Sequence, residues 1–187
     1  MRNGLILSIV FVFLSLTSTH SNSYAYIENN QALENLPEVL SQLQLTLVGS
    51  AVFSVLFWDI YKSTLYTKTG NYNKQQAPEI LLFEIEYLKD ITAAELIKRT
   101  IEQWYHLEKA ESQYLPYIAK LTSIWPDIKS GDKLTLLKQN GRSVFYFNHV
   151  KIGIIEQDEF SALFLDIWLS PKTSQKALRT ELLGDSK

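Results

Sequence analysis

The sequence predicts an α+β domain, one antiparallel β-sheet packed against a layer of α-helices. Three observations carry that reading. Apolar residues alternate with period two over Leu43–Thr67, Glu79–Leu88 and Lys133–Ile155, as half-buried strands require. Between and after these runs the periodicity changes to that of helices. Asn140-Gly141 interrupts the last of these runs, and this dipeptide favours the tight turn of an antiparallel hairpin. Strands in meanders with helices grouped between them give α+β architecture rather than alternating βαβ units.

The first residues fall outside this domain. Arg2 precedes an apolar stretch, Leu5 to Leu16, and Ser23-Tyr24-Ala25 offers a small–x–small cleavage site. This is the layout of a secretory signal peptide over residues 1–25. The apolar run of about 12 residues is shorter than the ~20 needed to span a bilayer, and an uncleaved anchor is the alternative. No later segment is long and apolar enough to span, so no stable membrane span is expected after cleavage. A periplasmic or secreted location follows. Residues 26–41 read as a polar lead-in in which Pro37 interrupts any helix, and 42–187 as the domain. The mature chain of about 160 residues suits one core, burying roughly 70% of the unfolded surface.

Leu43 to Thr67 is too long for one ordinary strand, so two strands folding back near Ser54 to Asp59 are expected. Lys68 to Pro78 is a loop of turn-formers. In Glu79 to Leu88, Leu81, Phe83, Ile85 and Tyr87 face inward. Glu84 and Glu86 share the other face; such a pair can serve acid/base chemistry, but a water-facing row is the simpler role. Thr92-Ala93-Ala94-Glu95 is a capping box, and Leu96, Ile97, Ile101, Trp104 and Tyr105 form the stripe of the helix it starts. A second helix covers Glu111 to Ile124, closed by Pro126. Lys133–Lys138 and Ser143–Phe147 flank Asn140-Gly141, and Asn148-His149 turns into Lys151–Ile155. Asp158 is placed to N-cap a helix burying Phe160, Leu163, Phe164, Ile167 and Trp168. Ser174 caps a last helix, Gln175 to Leu183, ended by Gly184.

Composition excludes several functions. The 187-residue chain has no cysteine, which removes disulfide staples, thiol catalysis and thiolate metal sites. Eighteen basic residues against 20 acidic ones, with no basic stripe, argue against a nucleic-acid partner. His106 and His149 have no second histidine at helical spacing, so no metal site is expected. No G-x-S-x-G elbow and no glycine-rich phosphate loop are present, and Asp127 with Gly131-Asp132 reads as a polar turn. No cofactor and no catalytic residue are assigned. The remaining candidates are aromatic. Phe53, Phe57 and Tyr61 share one sheet face if the fold-back preserves their phase, and with Tyr66 they are candidates to line an apolar ligand pocket. Plain core packing is the competing role.

Four blocks resemble the bacterial exported chalcone isomerase-like proteins: "VGSAVFSVLFWDIYKSTLYT" (48–67), "IWPDIKSGDKLTL" (124–136), "FYFNHVKIGII" (145–155) and "FLDIWLSPKTSQKALRTELLG" (164–184). The resemblance implies an open-faced β-sandwich, a sheet layered by helices. It also implies one of two activities. True chalcone isomerases cyclise a chalcone by adding a phenolate to an enone, using an Arg on the first strand hairpin, while other relatives bind fatty acids in the equivalent cleft. This sequence has Val52 and Phe53 where many relatives carry that Arg, and the nearest basic residue downstream is Lys62. Tyr61 matches the family's strand tyrosine in the pattern formed by Asp59, Tyr61, Leu65 and Tyr66. Without the Arg, a developing enolate loses its main electrostatic support. The expectation is therefore a non-catalytic binder of a small apolar or amphipathic ligand such as a fatty acid. An enone isomerase or lyase with rearranged groups, and an interaction module of the cell envelope, are the alternatives.

Overall fold

A computed structural model describes residues 35–185; the segment read as a signal peptide lies outside the described residues. Six strands form one antiparallel sheet in sequence order: β1 (Thr46–Val55), β2 (Trp58–Thr67), β3 (Leu81–Tyr87), β4 (Lys133–Gln139), β5 (Arg142–Phe147) and β6 (Val150–Ile155). Helices α2 (Ala93–His106) and α3 (Glu111–Ile124) separate β3 from β4, and α4 (Asp158–Leu169) and α5 (Lys176–Leu182) follow β6. The expected order of elements is the observed one, with an additional helix α1 (Leu36–Leu43) ahead of β1.

That helix corrects the reading of the lead-in. Pro37 sits in the first turn of α1, where its missing N–H has no partner to lose and its fixed φ suits a helix start. Leu36, Val39, Leu40 and Leu43 follow helical spacing and pack on Leu82, Leu137, Val144 and Tyr146 of the sheet's outer face. The Leu36 N–H donates to the His149 carbonyl (2.9 Å), tying α1 to the β5–β6 turn. This face is therefore partly roofed.

Turn chemistry sets the register. Asn140 and Gly141 have φ of 53° and 71°, and Asn148 and His149 have 46° and 74°, so both hairpins close through left-handed residue pairs. The β1–β2 hairpin folds at Leu56-Phe57, inside the expected window. A register shift between Leu47 and Gly49 puts Val48 in a bulge. The bulge breaks the uniform alternation expected from Leu43 to Phe57: Ala51 is buried, whereas Leu47 and Val55 are about half exposed.

The main core lies between the inner face and the helices. One row crosses the sheet as Gly49, Leu65, Phe83, Leu136, Phe145 and Gly153. Its glycines occupy the two edge strands, where helices press closest. A Cβ on Gly49 would stand 2.6 Å from the Leu182 carbonyl oxygen and closer still to that of Glu181, and one on Gly153 would meet Ile124 of α3. Gly49→Ala therefore drives a methyl into the backbone of α5, which has no rotamer with which to yield. The expected loss is about 3 kcal/mol, at the upper end for overpacking. Urea denaturation checks it, and an unchanged midpoint would show that α5 is not held against β1.

Caps differ from expectation in detail. Thr92 Oγ1 accepts from the Glu95 N–H (3.2 Å) as expected, but the Glu95 carboxylate turns to Arg99 instead of back to the cap. Asp158 lies in the first turn of α4 with no side-chain cap bond there. Thr173, not Ser174, accepts from the Gln175 N–H (3.2 Å) before α5; Ser174 Oγ donates to Gln103 of α2 (2.8 Å). Tyr105 is 79% exposed, and Thr100 takes a buried place on the helix stripe.

Candidate functional site

Two hollows are candidates. The larger, about 860 Å³, is an open groove between α3, β6 and α4 lined by Lys109, Lys120, Glu156, Glu159 and Asp166 among others. Some of its charges are engaged already, since Asp166 accepts from Lys109 (2.7 Å) and also from Lys74. The second, about 530 Å³, is a cleft between the inner sheet face and helices α2 and α4. Its walls are mostly apolar, and its size suits a small organic ligand. We take the cleft as the candidate site, because a more enclosed apolar wall holds an organic ligand better than an open groove of mixed apolar and charged lining does.

Strand parity positions the sheet wall. Phe53 and Tyr61 are directly paired across β1 and β2, and Tyr61 is paired with Tyr87 across β2 and β3. All three side chains emerge on the inner face. Phe53 stacks on Tyr61 with centroids 5.1 Å apart, and the Tyr61 and Tyr87 rings lie 6.1 Å apart. From the helix side, Trp168 Nε1 donates to the Tyr61 hydroxyl oxygen at 3.0 Å. Leu96 and Thr100 of α2, Phe164 and Ile167 of α4, and Trp125 complete the wall. The Thr100 hydroxyl is spent on the Leu96 carbonyl (2.9 Å), so it presents its methyl.

Two of the four aromatic residues expected in a pocket are here and two are not. Phe53 and Tyr61 line the cleft. Phe57 occupies the two-residue turn beyond both strands and is 97% exposed, so the fold-back removes it from the phase it was expected to share. Tyr66 packs on the outer-face cluster beneath α1. Its spacing of five from Tyr61 is odd, and odd spacing on a strand means opposite faces. Tyr87, Thr100 and Trp125 line the cleft without having been singled out as site residues. Tyr87 was legible as an inward aromatic in the row beside Tyr61; Trp125 follows a helix end and carries no periodic signal.

Burial sets the chemistry of the phenols. It pushes the Tyr61 hydroxyl up to about 12 from 10.0, an effect partly offset by the hydrogen bond from Trp168. Tyr87 is raised further by burial, with the neighbouring Tyr61 adding to it. Both are neutral donors at any physiological pH, and neither is a base. An unfolded chain ionises its tyrosines near pH 10 while Tyr61 stays protonated to about pH 12. The unfolded state then binds fewer protons, so stability is intact below the lower value and falls as pH rises through this window. Tyr61 alone accounts for about 2–3 kcal/mol of that fall. Urea denaturation across the window measures the decline, and Tyr61→Phe should flatten it.

Charged groups occur only at the cleft's rim. Arg99 pairs with Glu102 (3.0 Å) and Glu95 (3.4 Å). Lys89 lies 4.4 Å from the Trp58 ring centroid. Asp90 accepts from the Ser130 N–H (2.9 Å) and from Lys129 (3.0 Å), which together hold its carboxyl below the usual range. Lys62, the basic residue nearest downstream of Phe53, is exposed and pairs with Glu86 across the strands, opposite in parity to Tyr61. No cation enters the interior from the hairpin. Outside the cleft, Glu84 is paired with Lys133 (2.9 Å) and is not a free acid/base partner for Glu86.

The tip of the β1–β2 hairpin stands at the cleft's edge with Leu56 87%, Phe57 97% and Trp58 62% exposed. Among the described residues no helix is long and apolar enough to cross a membrane.

Comparison with known proteins agrees with this architecture. An uncharacterized protein of Haemophilus influenzae is 24% identical over 143 residues, covering 75% of this chain and 68% of its own. The crystal structure of an Arabidopsis thaliana fatty-acid binding protein superposes with a TM-score of 0.60 at 13% identity, over 76% of this chain and 88% of that one. At that identity the likeness establishes the fold and leaves activity to the site. The sequence model for chalcone isomerase-like proteins matches residues 32–184, which covers the six strands and five α-helices of the described residues. The chain belongs to the chalcone isomerase-like family.

Proposed function

We propose that the protein is a non-catalytic periplasmic binder of a small apolar or amphipathic ligand such as a fatty acid. The observation that carries this reading is the cleft itself: an apolar chamber of about 530 Å³ whose sheet wall presents Phe53, Tyr61 and Tyr87. Binding there is driven by removing an apolar chain from water. The fatty-acid binding protein that shares the fold supports the reading. Catalysis of an enone cyclisation is disfavoured by the same cleft, because an enolate forming against two neutral phenols gains no cationic partner. The expected signal peptide supports the periplasmic location, and N-terminal sequencing of the mature protein from cell fractions tests it.

The decisive experiment is extraction of purified protein followed by mass spectrometry, with displacement of a fluorescent fatty-acid analogue by unlabelled ligands. Saturable displacement at one site per chain is the expected result. Protein that carries no lipid and shows no saturable displacement would sink the reading.

The hairpin tip favours a second reading, docking at the cell envelope, since three consecutive large apolar side chains face water. Leu56→Ser combined with Phe57→Ser leaves the cleft wall intact. Loss of envelope association in fractionation would support docking, and unchanged association would remove it.

A further inference from the structure

Burying a polar group without a partner is costly, so unpaired donors inside an apolar cleft point to what is meant to fill it. Tyr87 is only 4% exposed and its hydroxyl makes no hydrogen bond among the described residues. The Tyr61 oxygen accepts from Trp168 at 3.0 Å, which leaves the Tyr61 proton to be donated elsewhere. Trp125 lines the same cleft, and its buried indole N–H also lacks an acceptor. The interior thus offers protons to a ligand and offers no charge. The charged lining residues are three carboxylates, Asp90, Glu95 and Glu102, against two cations, Lys89 and Arg99. Both cations are already engaged, Arg99 by two carboxylates and Lys89 by an indole face.

An ionised carboxylate entering this cleft would lose its hydration and gain no free countercharge, since the rim cations Arg99, Lys89 and Lys129 already have partners. Desolvating an ion costs several kcal/mol that hydrogen bonds from neutral donors only partly restore. An uncharged carbonyl oxygen loses far less, and its two lone pairs can accept from two donors at once.

We propose that the cleft selects ligands whose buried polar group is an uncharged hydrogen-bond acceptor, an ester, ketone or amide carbonyl or a protonated acid, with Tyr87 and Tyr61 as its donors. This rests on the cleft being a ligand site, as proposed above. Tyr87 is the cleaner of the two to test, because removing its hydroxyl orphans no other group.

The test uses the mature chain and a neutral fluorescent naphthylamine as the displaced probe, with methyl decanoate and decanoate as competitors. At neutral pH the ester should displace the probe at a concentration at least about tenfold lower than the acid. The acid should approach the ester as pH falls through about 5, where its own carboxyl protonates. Tyr87→Phe should weaken ester binding about five- to tenfold, the range for one lost hydrogen bond in a buried site. The same variant should leave displacement by decane unchanged and the thermal midpoint close to that of the parent. Decanoate binding as tightly as the ester at neutral pH, or an ester affinity indifferent to Tyr87→Phe, overturns the proposal while leaving the ligand-binding reading intact. Displacement by none of the three compounds overturns both.

Discussion

Ile85→Trp weakens ligand binding about a hundredfold while the protein stays folded. Ile85 is 3% exposed on the central strand β3, directs its side chain to the inner face and lines the cleft. Indole in its place has only the cleft to expand into, since Ser63 and Leu134 flank it on the neighbouring strands. A ligand chain burying roughly 200 Å² of apolar surface is held by about 5 kcal/mol. Losing half of that through exclusion from the deeper cleft weakens binding about a hundredfold. The fold is spared because the new side chain fills space that was open, where overpacking a filled core costs about 1–3 kcal/mol. Thr100→Phe approaches the same space from α2, and its hydroxyl serves only the helix's own backbone. Two blocking variants from opposite walls, each folded and each with the probe bound far more weakly than by the parent, place the ligand between them. Wild-type affinity in both moves the ligand site elsewhere, with the α3–α4 groove the next place to look.

The fold was largely legible because its determinants are local. Asn140-Gly141 fixes a turn by its own backbone preference, and the row Leu81, Phe83, Ile85, Tyr87 fixes a strand's buried face by alternation alone. Helix α1 was lost to a rule applied too broadly. Pro37 stops a helix from continuing but not from beginning, and Leu36, Val39, Leu40 and Leu43 already carried the helical spacing. The bulge at Val48 left no comparable signal, because it follows from how β1 pairs with β2.

The site was less legible, since it depends on which inward residues the helices leave uncovered. Parity puts Tyr61 and Tyr87 on one face and Tyr66 on the other, and the sequence contained that information. It did not contain the separation of α2 and α4, which decides whether Phe53 and Tyr61 border a solid core or a cleft. That spacing arises from contacts between residues far apart in the chain, and one of them dominates.

Trp104→Ala should give the largest loss of stability of any variant considered, about 4 kcal/mol. Trp104 is fully buried on α2, stacks on Tyr114 of α3 with centroids 5.3 Å apart, and donates its indole N–H to the Leu163 carbonyl of α4 at 3.0 Å. One side chain therefore pins three helices. Truncating a buried tryptophan costs about 3–5 kcal/mol through lost burial and the cavity left behind, and the lost indole hydrogen bond adds to that cost. Trp104→Phe separates the two contributions: it keeps most of the ring and loses the hydrogen bond, for an expected loss of about 1–2 kcal/mol. Urea denaturation should show both midpoints falling in that order with an unchanged slope. The helix carbonyl that Trp104 holds belongs to the same turn of α4 as Phe164, which lines the cleft. Releasing it lets α4 shift against α2, so ligand affinity should fall in Trp104→Ala even under conditions where the variant is fully folded. An unchanged affinity in folded Trp104→Ala would mean that the sheet, not the helix layer, sets the cleft's width.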